Sequence, residues 1–142
     1  MKGLHAQVSQ DTRRVQIACR DKIDVLRSRV KLLTGRDRLL LTMYLDKGNS
    51  FREMARLAGV NETIIARRVR KMMKRLIDGP YITCLRNHDR FTGTEMAIAK
   101  DRFLTGLAIR KIARRRHLTY YCVRKTLKHI ERIITTVKQQ EI

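Results

Sequence analysis

Three groups of residues in this chain have types and spacings that could do chemistry. Cys84 and His88, four residues apart, could offer two ligands to a metal ion, but no second pair stands at a matching spacing, so no metal site is expected. The four histidines (His5, His88, His117 and His129) have no evident carboxylate or nucleophile partner. Asp and Glu residues mostly stand at helix starts or among cations, where capping and ion pairing account for them. There is neither a P-loop nor a GxGxxG segment, so no enzyme activity and no cofactor are expected. The third group is the arginines and lysines, densest in Arg114-Arg115-Arg116-His117. Their chemistry is electrostatic: they neutralise phosphates, and arginine presents a forked donor to the edge of guanine.

The charge points the same way. Among 142 residues, 33 are basic and 13 acidic, a net charge of +20. A small soluble domain carries roughly 2 to 8 charges, so this surplus implies a polyanionic partner. It is spread along the chain. Eight basic against three acidic residues give +5 over 1–33, eleven against five give +6 over 34–78, and fourteen against five give +9 over 79–142. Hydrophobic residues make up 43%, enough for a core. Aromatics are only 5% and Trp is absent, so that core is mostly aliphatic. The length excludes a large enzyme domain. No apolar run approaches the ~20 residues of a membrane span, and no Trp- or Phe-bearing amphipathic helix suggests a lipid surface. The start, MKGLHAQVSQDTRR, lacks a signal-peptide core. Three widely spaced cysteines fit a reducing cytoplasm.

The elements that must carry these cations are set by an internal repeat. Thr34–Leu76 aligns without gaps on Thr92–Ile134, an offset of 58. Gly48 falls on Gly106, Arg52 on Arg110, Ala55 on Ala113, and Arg56 on Arg114. Apolar positions correspond as well, among them Leu40 with Ile98, Met54 with Ile112, Ile65 with Val123, Val69 with Leu127 and Met72 with Ile130. Each repeat reads as three helices. In the first, Thr34 is the expected N-cap, Asp37 takes the capping-box position, and a helix runs from Arg36 to Asp46. Ser50-x-x-Glu53 is a capping box opening a short helix to about Leu57, and Asn61 caps a longer one to about Ile77. In the second, Thr92-x-x-Glu95 opens helices expected over Thr94–Leu104, Ile109–Arg115 and Tyr120–Lys138, the middle one poorly capped by Ala108. A further helix is expected from Gln10 to Leu33, with a stripe at Val15, Cys19, Ile23, Leu26, Val30 and Leu33. That stripe packs on the first repeat or pairs two chains. Tyr81–Leu85 is the one strand-like stretch and is expected to be an extended linker.

A short helix, a tight turn and a longer basic helix describe a helix-turn-helix. The close crossing needs a small residue, supplied by Ala55 and Ala113. The turn four residues on needs positive φ, supplied by Gly59 and, with more strain, by His117. Ile65 and Val123 then face the core. The first repeat resembles region four of bacterial sigma factors, through Arg36-Asp37-Arg38, Leu40, Tyr44, Gly48, Ser50, Glu53-Met54-Ala55, Gly59-Val60 and Ile65. The second resembles it more loosely, through Gly106, Ile109-Arg110, Ile112-Ala113, Leu118-Thr119 and Val123-Arg124. Response-regulator output domains share much of this pattern. The resemblance covers about 43 of 142 residues in the first copy, and no aromatic-rich promoter-melting region precedes it, which argues against a complete sigma factor.

The resemblance implies that the start of each long helix enters the major groove, and helical geometry selects the same residues. Base contacts are expected from Glu62, Thr63, Ala66 and Arg67 in the first repeat and from Tyr120, Tyr121, Arg124 and Lys125 in the second. One of the two tyrosines is expected to pack on the preceding helix. Phosphate contacts are expected from Arg52, Arg56, Arg68, Arg70, Lys71 and Lys74, and from Arg110, Arg114, Arg115, Arg116, Lys128 and His129. The alternative for each is a solvated basic face.

The expectation is therefore an all-α protein: an N-terminal helix (1–33) followed by two tandem three-helix units (34–78 and 93–142) joined by a linker (79–92). Its expected role is sequence-specific binding of double-stranded DNA in transcription regulation, in the cytoplasm at the bacterial nucleoid. One chain would then read two unlike half-sites about 34 Å apart. RNA polymerase and a second copy of the chain, paired through the N-terminal helix, are the other expected partners. A sigma-like factor with one repeat on protein, or a basic RNA-binding protein, are the alternatives. Seven aromatics offer few stacking platforms for RNA.

Overall fold

The computed structural model describes residues 21–141. Those residues are helices and turns, with no strand among them. Residues 21–29 form α1, which tightens into a 3₁₀ turn at Val30–Leu32. There follow α2 (Gly35–Leu45), α3 (Phe51–Ala58), α4 (Glu62–Asp78), α5 (Pro80–Arg86), α6 (Gly93–Ala99), α7 (Ile109–Arg116) and α8 (Tyr120–Glu141). A π-helical turn, Lys100–Leu104, continues α6. No helix of the described residues is long and apolar enough to cross a membrane. The chain forms two compact units, divided after Val69 and so within α4.

The first unit packs α1, α2, α3 and the start of α4 around Leu26, Leu33, Leu40, Leu41, Met54, Ala55, Ile65 and Val69. Of the N-terminal stripe, Leu26 and Leu33 are buried, Val30 is half-buried and Ile23 is exposed; Val15 and Cys19 lie outside the described residues. Arg27 ties this segment down by donating to the Leu45 carbonyl at 3.1 Å, beside Asp46 at 3.6 Å. Tyr44 and Phe51 stack with centroids 4.9 Å apart and planes 11° from parallel, bracing α2 on α3. Ser50 caps α3 by accepting from Glu53 N at 3.1 Å. Thr34 makes no side-chain cap bond. Asp37, at the expected capping position, turns instead to Arg68 of α4.

In the second unit α8 packs on α5, α6 and α7. Its stripe Val123, Leu127, Ile130, Ile134 and Val137 is buried throughout. The capping box at Thr92 and Glu95 is complete: Thr92 Oγ1 accepts from Glu95 N, and Glu95 Oε1 accepts from Thr92 N at 2.8 Å. Glu95 Oε2 also meets His129 Nε2 at 3.3 Å, joining α6 to α8.

Besides the missing cap at Thr34, two expectations about secondary structure need correction. The stretch Tyr81–Leu85 is not an extended linker; it lies in α5, with Tyr81, Ile82 and Cys84 buried. Its β-branched and aromatic residues favour extension, but that preference is weak against burial. Pro80 stands at the first helical position, where its fixed φ and missing N–H favour a helix start, so it opens α5 as well as following the end of α4. Residues 79–92 are thus part of the second unit. The other correction concerns the helix expected over Thr94–Leu104. It is α-helical only to Ala99, and its last turn widens to π geometry. The wide turn adds a residue, and Leu104, which aligns with exposed Asp46, is carried into the core.

The aligned segments share their buried positions and their turn conformation. Met54, Ala55, Ile65, Val69, Met72 and Leu76 are buried, and so are their counterparts Ile112, Ala113, Val123, Leu127, Ile130 and Ile134. Gly59 ends α3 in the left-handed region (φ 69°, ψ 29°), and His117 ends α7 there (φ 56°, ψ 41°).

Candidate nucleic-acid interface

Each long helix is aimed by the same small device. After α3, Gly59 N donates to the Arg56 carbonyl at 3.4 Å and Val60 N to that of Ala55 at 3.1 Å. After α7, His117 N donates to Arg114 O at 3.3 Å and Leu118 N to Ala113 O at 2.9 Å. These are helix-terminating bonds that require a left-handed residue at the turn. His117 is the one positive-φ residue among those described that is not glycine. A side-chain cap then starts the next helix. Asn61 Oδ1 accepts from Thr63 N at 2.9 Å, and Thr119 Oγ1 from Cys122 N at 3.0 Å.

The caps leave the starts of α4 and α8 in solvent. Glu62, Thr63 and Arg67 are exposed and Ala66 is half-buried. Farther along the helix Arg70, Lys71 and Lys74 are exposed too. In the second unit Tyr120, Tyr121, Arg124, Lys125 and Lys128 are all exposed. Neither tyrosine packs away: Tyr120 is 46% and Tyr121 72% exposed, against the expectation that one would be buried. Tyr121, Arg124, Lys125 and Lys128 line a surface hollow of about 310 Å³. Arg52 and Arg56 on α3, and Arg110, Arg114 and Arg115 on α7, are exposed within their units.

Two arginines expected on phosphate are held by carboxylates of their own unit. Arg68 donates from Nε and Nη2 to Asp37 Oδ1 at 3.0 and 2.8 Å, joining α4 to α2. Arg116 donates from Nε to Asp101 Oδ2 at 2.8 Å and from Nη2 to Oδ1 at 3.1 Å, a bidentate pair joining α7 to the π turn. Hydrogen bonding to Asp101 raises the Arg116 pKa above its already high usual value, and burial opposes this. Arg115 stands 3.8 Å from the same carboxylate. Asp101, 2% exposed, is the single buried charged residue of the described chain. Its importance was open to inspection of the repeat, where Asp101 aligns with Met43 and Arg116 with Ala58. Where one copy has an ion pair, the other has a methionine and an alanine.

Because the first copy keeps the apolar version, its surface differs. Leu39, Met43, Leu57, Val60 and Ile64 line a groove of about 390 Å³, edged by Arg36 and Arg68. Leu57, 73% exposed, and Leu39, Val60 and Ile64 are large apolar residues in solvent. They lie off the core stripe, a signal that the helical period alone makes readable.

The cysteine-histidine pair has a structural setting. Cys84 is fully buried, and desolvation pushes its thiol from 9.0 up to about 11. His88 Nδ1 lies 3.2 Å from the Leu85 carbonyl. Among the described residues, no three of His, Cys, Asp and Glu come together as a metal site would require. No family model, no curated protein and no solved structure matches the chain.

Proposed function

We propose that this chain binds double-stranded DNA in a sequence-specific manner through two tandem helix-turn-helix units, each placing the start of its long helix in the major groove, and that it regulates transcription at the bacterial nucleoid. The observation that carries this is the pair of left-handed turns 58 residues apart, each launching a capped helix with an exposed start. The net charge of +20 supplies the attraction to phosphate. Glu62, Thr63, Ala66 and Arg67, and Tyr120, Tyr121, Arg124 and Lys125, are the base-contacting candidates. Arg52, Arg56, Arg70, Lys71, Lys74, Arg110, Arg114 and Lys128 hold phosphates. Arg68 and Arg116 serve first to set the angle of the helices that they brace.

Selection from a random duplex pool, in 150 mM-range salt with competitor RNA, tests this. An enriched asymmetric site with two elements about one helical turn apart is expected. A palindrome would indicate two chains, each reading with one unit. Tight, salt-labile binding with no enriched sequence would overturn the specific reading and leave an architectural or RNA-binding protein.

The groove of the first unit favours a second reading, a sigma-like polymerase-associated factor in which that unit holds protein. The two are separable. Arg67→Ala and Arg124→Ala each weaken DNA binding if both units read DNA, and only Arg124→Ala does if the first holds protein. In that case Leu57→Lys abolishes polymerase association and leaves DNA affinity unchanged.

A further inference from the structure

The second unit hides its apolar residues well. Of the large hydrophobic side chains exposed among the described residues, that unit contributes only Tyr120 and Tyr121, adjacent at the start of α8. Their counterparts in the first unit are Glu62 and Thr63, both polar. Tyr121 shares its hollow with Arg124, Lys125 and Lys128, which follow it along one face of the helix. An uncharged ring among three cations adds nothing to phosphate neutralisation. A tyrosine hydroxyl can donate to a phosphate, but the ring itself is desolvated against nucleic acid, and that is most favourable against an apolar group. The major groove presents donors and acceptors and one apolar group, the C5 methyl of thymine.

We infer that Tyr121, with Tyr120 beside it, reads thymine methyl groups, so that the half-site of the second unit is thymine-bearing where α8 enters the groove. The inference rests on the DNA-reading function proposed above and names the bases that one unit selects. Arg124 and Lys125, one turn along, hold the flanking guanine or phosphates. The first unit has Glu62 and Thr63 at the same positions and no ring there, so any methyl contact it makes through Thr63 or Ala66 is independent of the tyrosines, and the methyl dependence that Tyr121 carries is confined to the second half of the site.

The test uses the full chain and the duplex recovered by selection, with each thymine replaced in turn by uracil, which lacks only the methyl. Loss of one or two methyls in one half-site is expected to weaken binding about fourfold each. Tyr121→Ala is expected to bind the thymine duplex more weakly and to be indifferent to uracil in the second unit's half-site. Tyr121→Phe is expected to retain the discrimination. Far-UV circular dichroism checks that the variants stay folded, as the exposure of the side chain leads one to expect. Equal affinity for thymine and uracil duplexes throughout would overturn the inference while leaving the DNA-reading function standing. So would methyl discrimination in that half-site that persists in Tyr121→Ala, or its loss in Tyr121→Phe, which would make the hydroxyl the reader. Failure to enrich any duplex sequence would instead remove the premise.

Discussion

Asp101 is the buried charge of the second unit. Its carboxylate is buried, and its partners are Arg116 and, at longer range, Arg115. Removing Arg116 takes both hydrogen bonds from the buried carboxylate and leaves only Arg115, at 3.8 Å, so the cost is expected to fall below the ~3–5 kcal/mol of a fully buried pair. Arg116→Ala is therefore expected to lower the urea midpoint. The double variant Asp101→Met with Arg116→Ala places the residues of Met43 and Ala58 at these positions and replaces the ion pair by apolar side chains, and it is expected to recover most of that loss. Recovery no better than the single variant would show that the unit cannot accept the apolar version. The turn residues give a second prediction. His117 sits at φ 56°, where a Cβ is unfavourable, so His117→Gly is expected to stabilise by up to about 1 kcal/mol. Gly59→Ala, at φ 69°, is expected to destabilise by about the same amount in equilibrium denaturation.

At the scale of elements, α5 has the clearest consequence. It buries Cys84, whose thiol is pushed from 9.0 to about 11. Below pH 9 the thiol is protonated in folded and unfolded chains alike, and it adds no pH dependence. Between pH 9 and 11 the unfolded chain releases this proton while the folded one retains it, so stability falls as pH rises. Burial raises the Tyr81 hydroxyl in the same direction. Denaturation midpoints measured from pH 8 to 11 are expected to decline, and Cys84→Ala is expected to flatten part of that slope. Alkylation at pH 8 is expected to reach half-buried Cys122 well before Cys84. The helices themselves were largely legible. The ends of α3, α4 and α7 fall within one residue of those expected, because caps and turn residues at those ends are local chemistry. The failures, α5 and the π turn, lie where packing overrides local preference.

For the whole molecule the governing quantity is charge. If about eight phosphates are neutralised, log K is expected to fall with log salt at a slope near −7. Replacing one residue proposed to hold a phosphate, such as Arg110, by Ala should reduce that slope by about one, with little change in sequence preference. A slope near −2 would mean that most of the +20 faces away from DNA. Replacing Arg67 or Arg124 should alter preference at single positions as well. Arg68→Ala is expected to act mainly on stability, since Asp37 engages its guanidinium.

The sequence by itself determined the helical class, the 58-residue repeat, the two left-handed turns and the places where α4 and α8 begin. Each depends on spacing or on residues within a few positions of one another. Which arginines meet a carboxylate was decided by tertiary structure alone, since Asp37 and Arg68 lie 31 residues apart and meet only when α2 and α4 pack. The fate of Tyr81–Leu85 was decided in the same way: burial against the second unit selected helix over a locally favoured extended form. So was the exposure of both Tyr120 and Tyr121, because whether a side chain finds a partner depends on what the rest of the unit leaves uncovered.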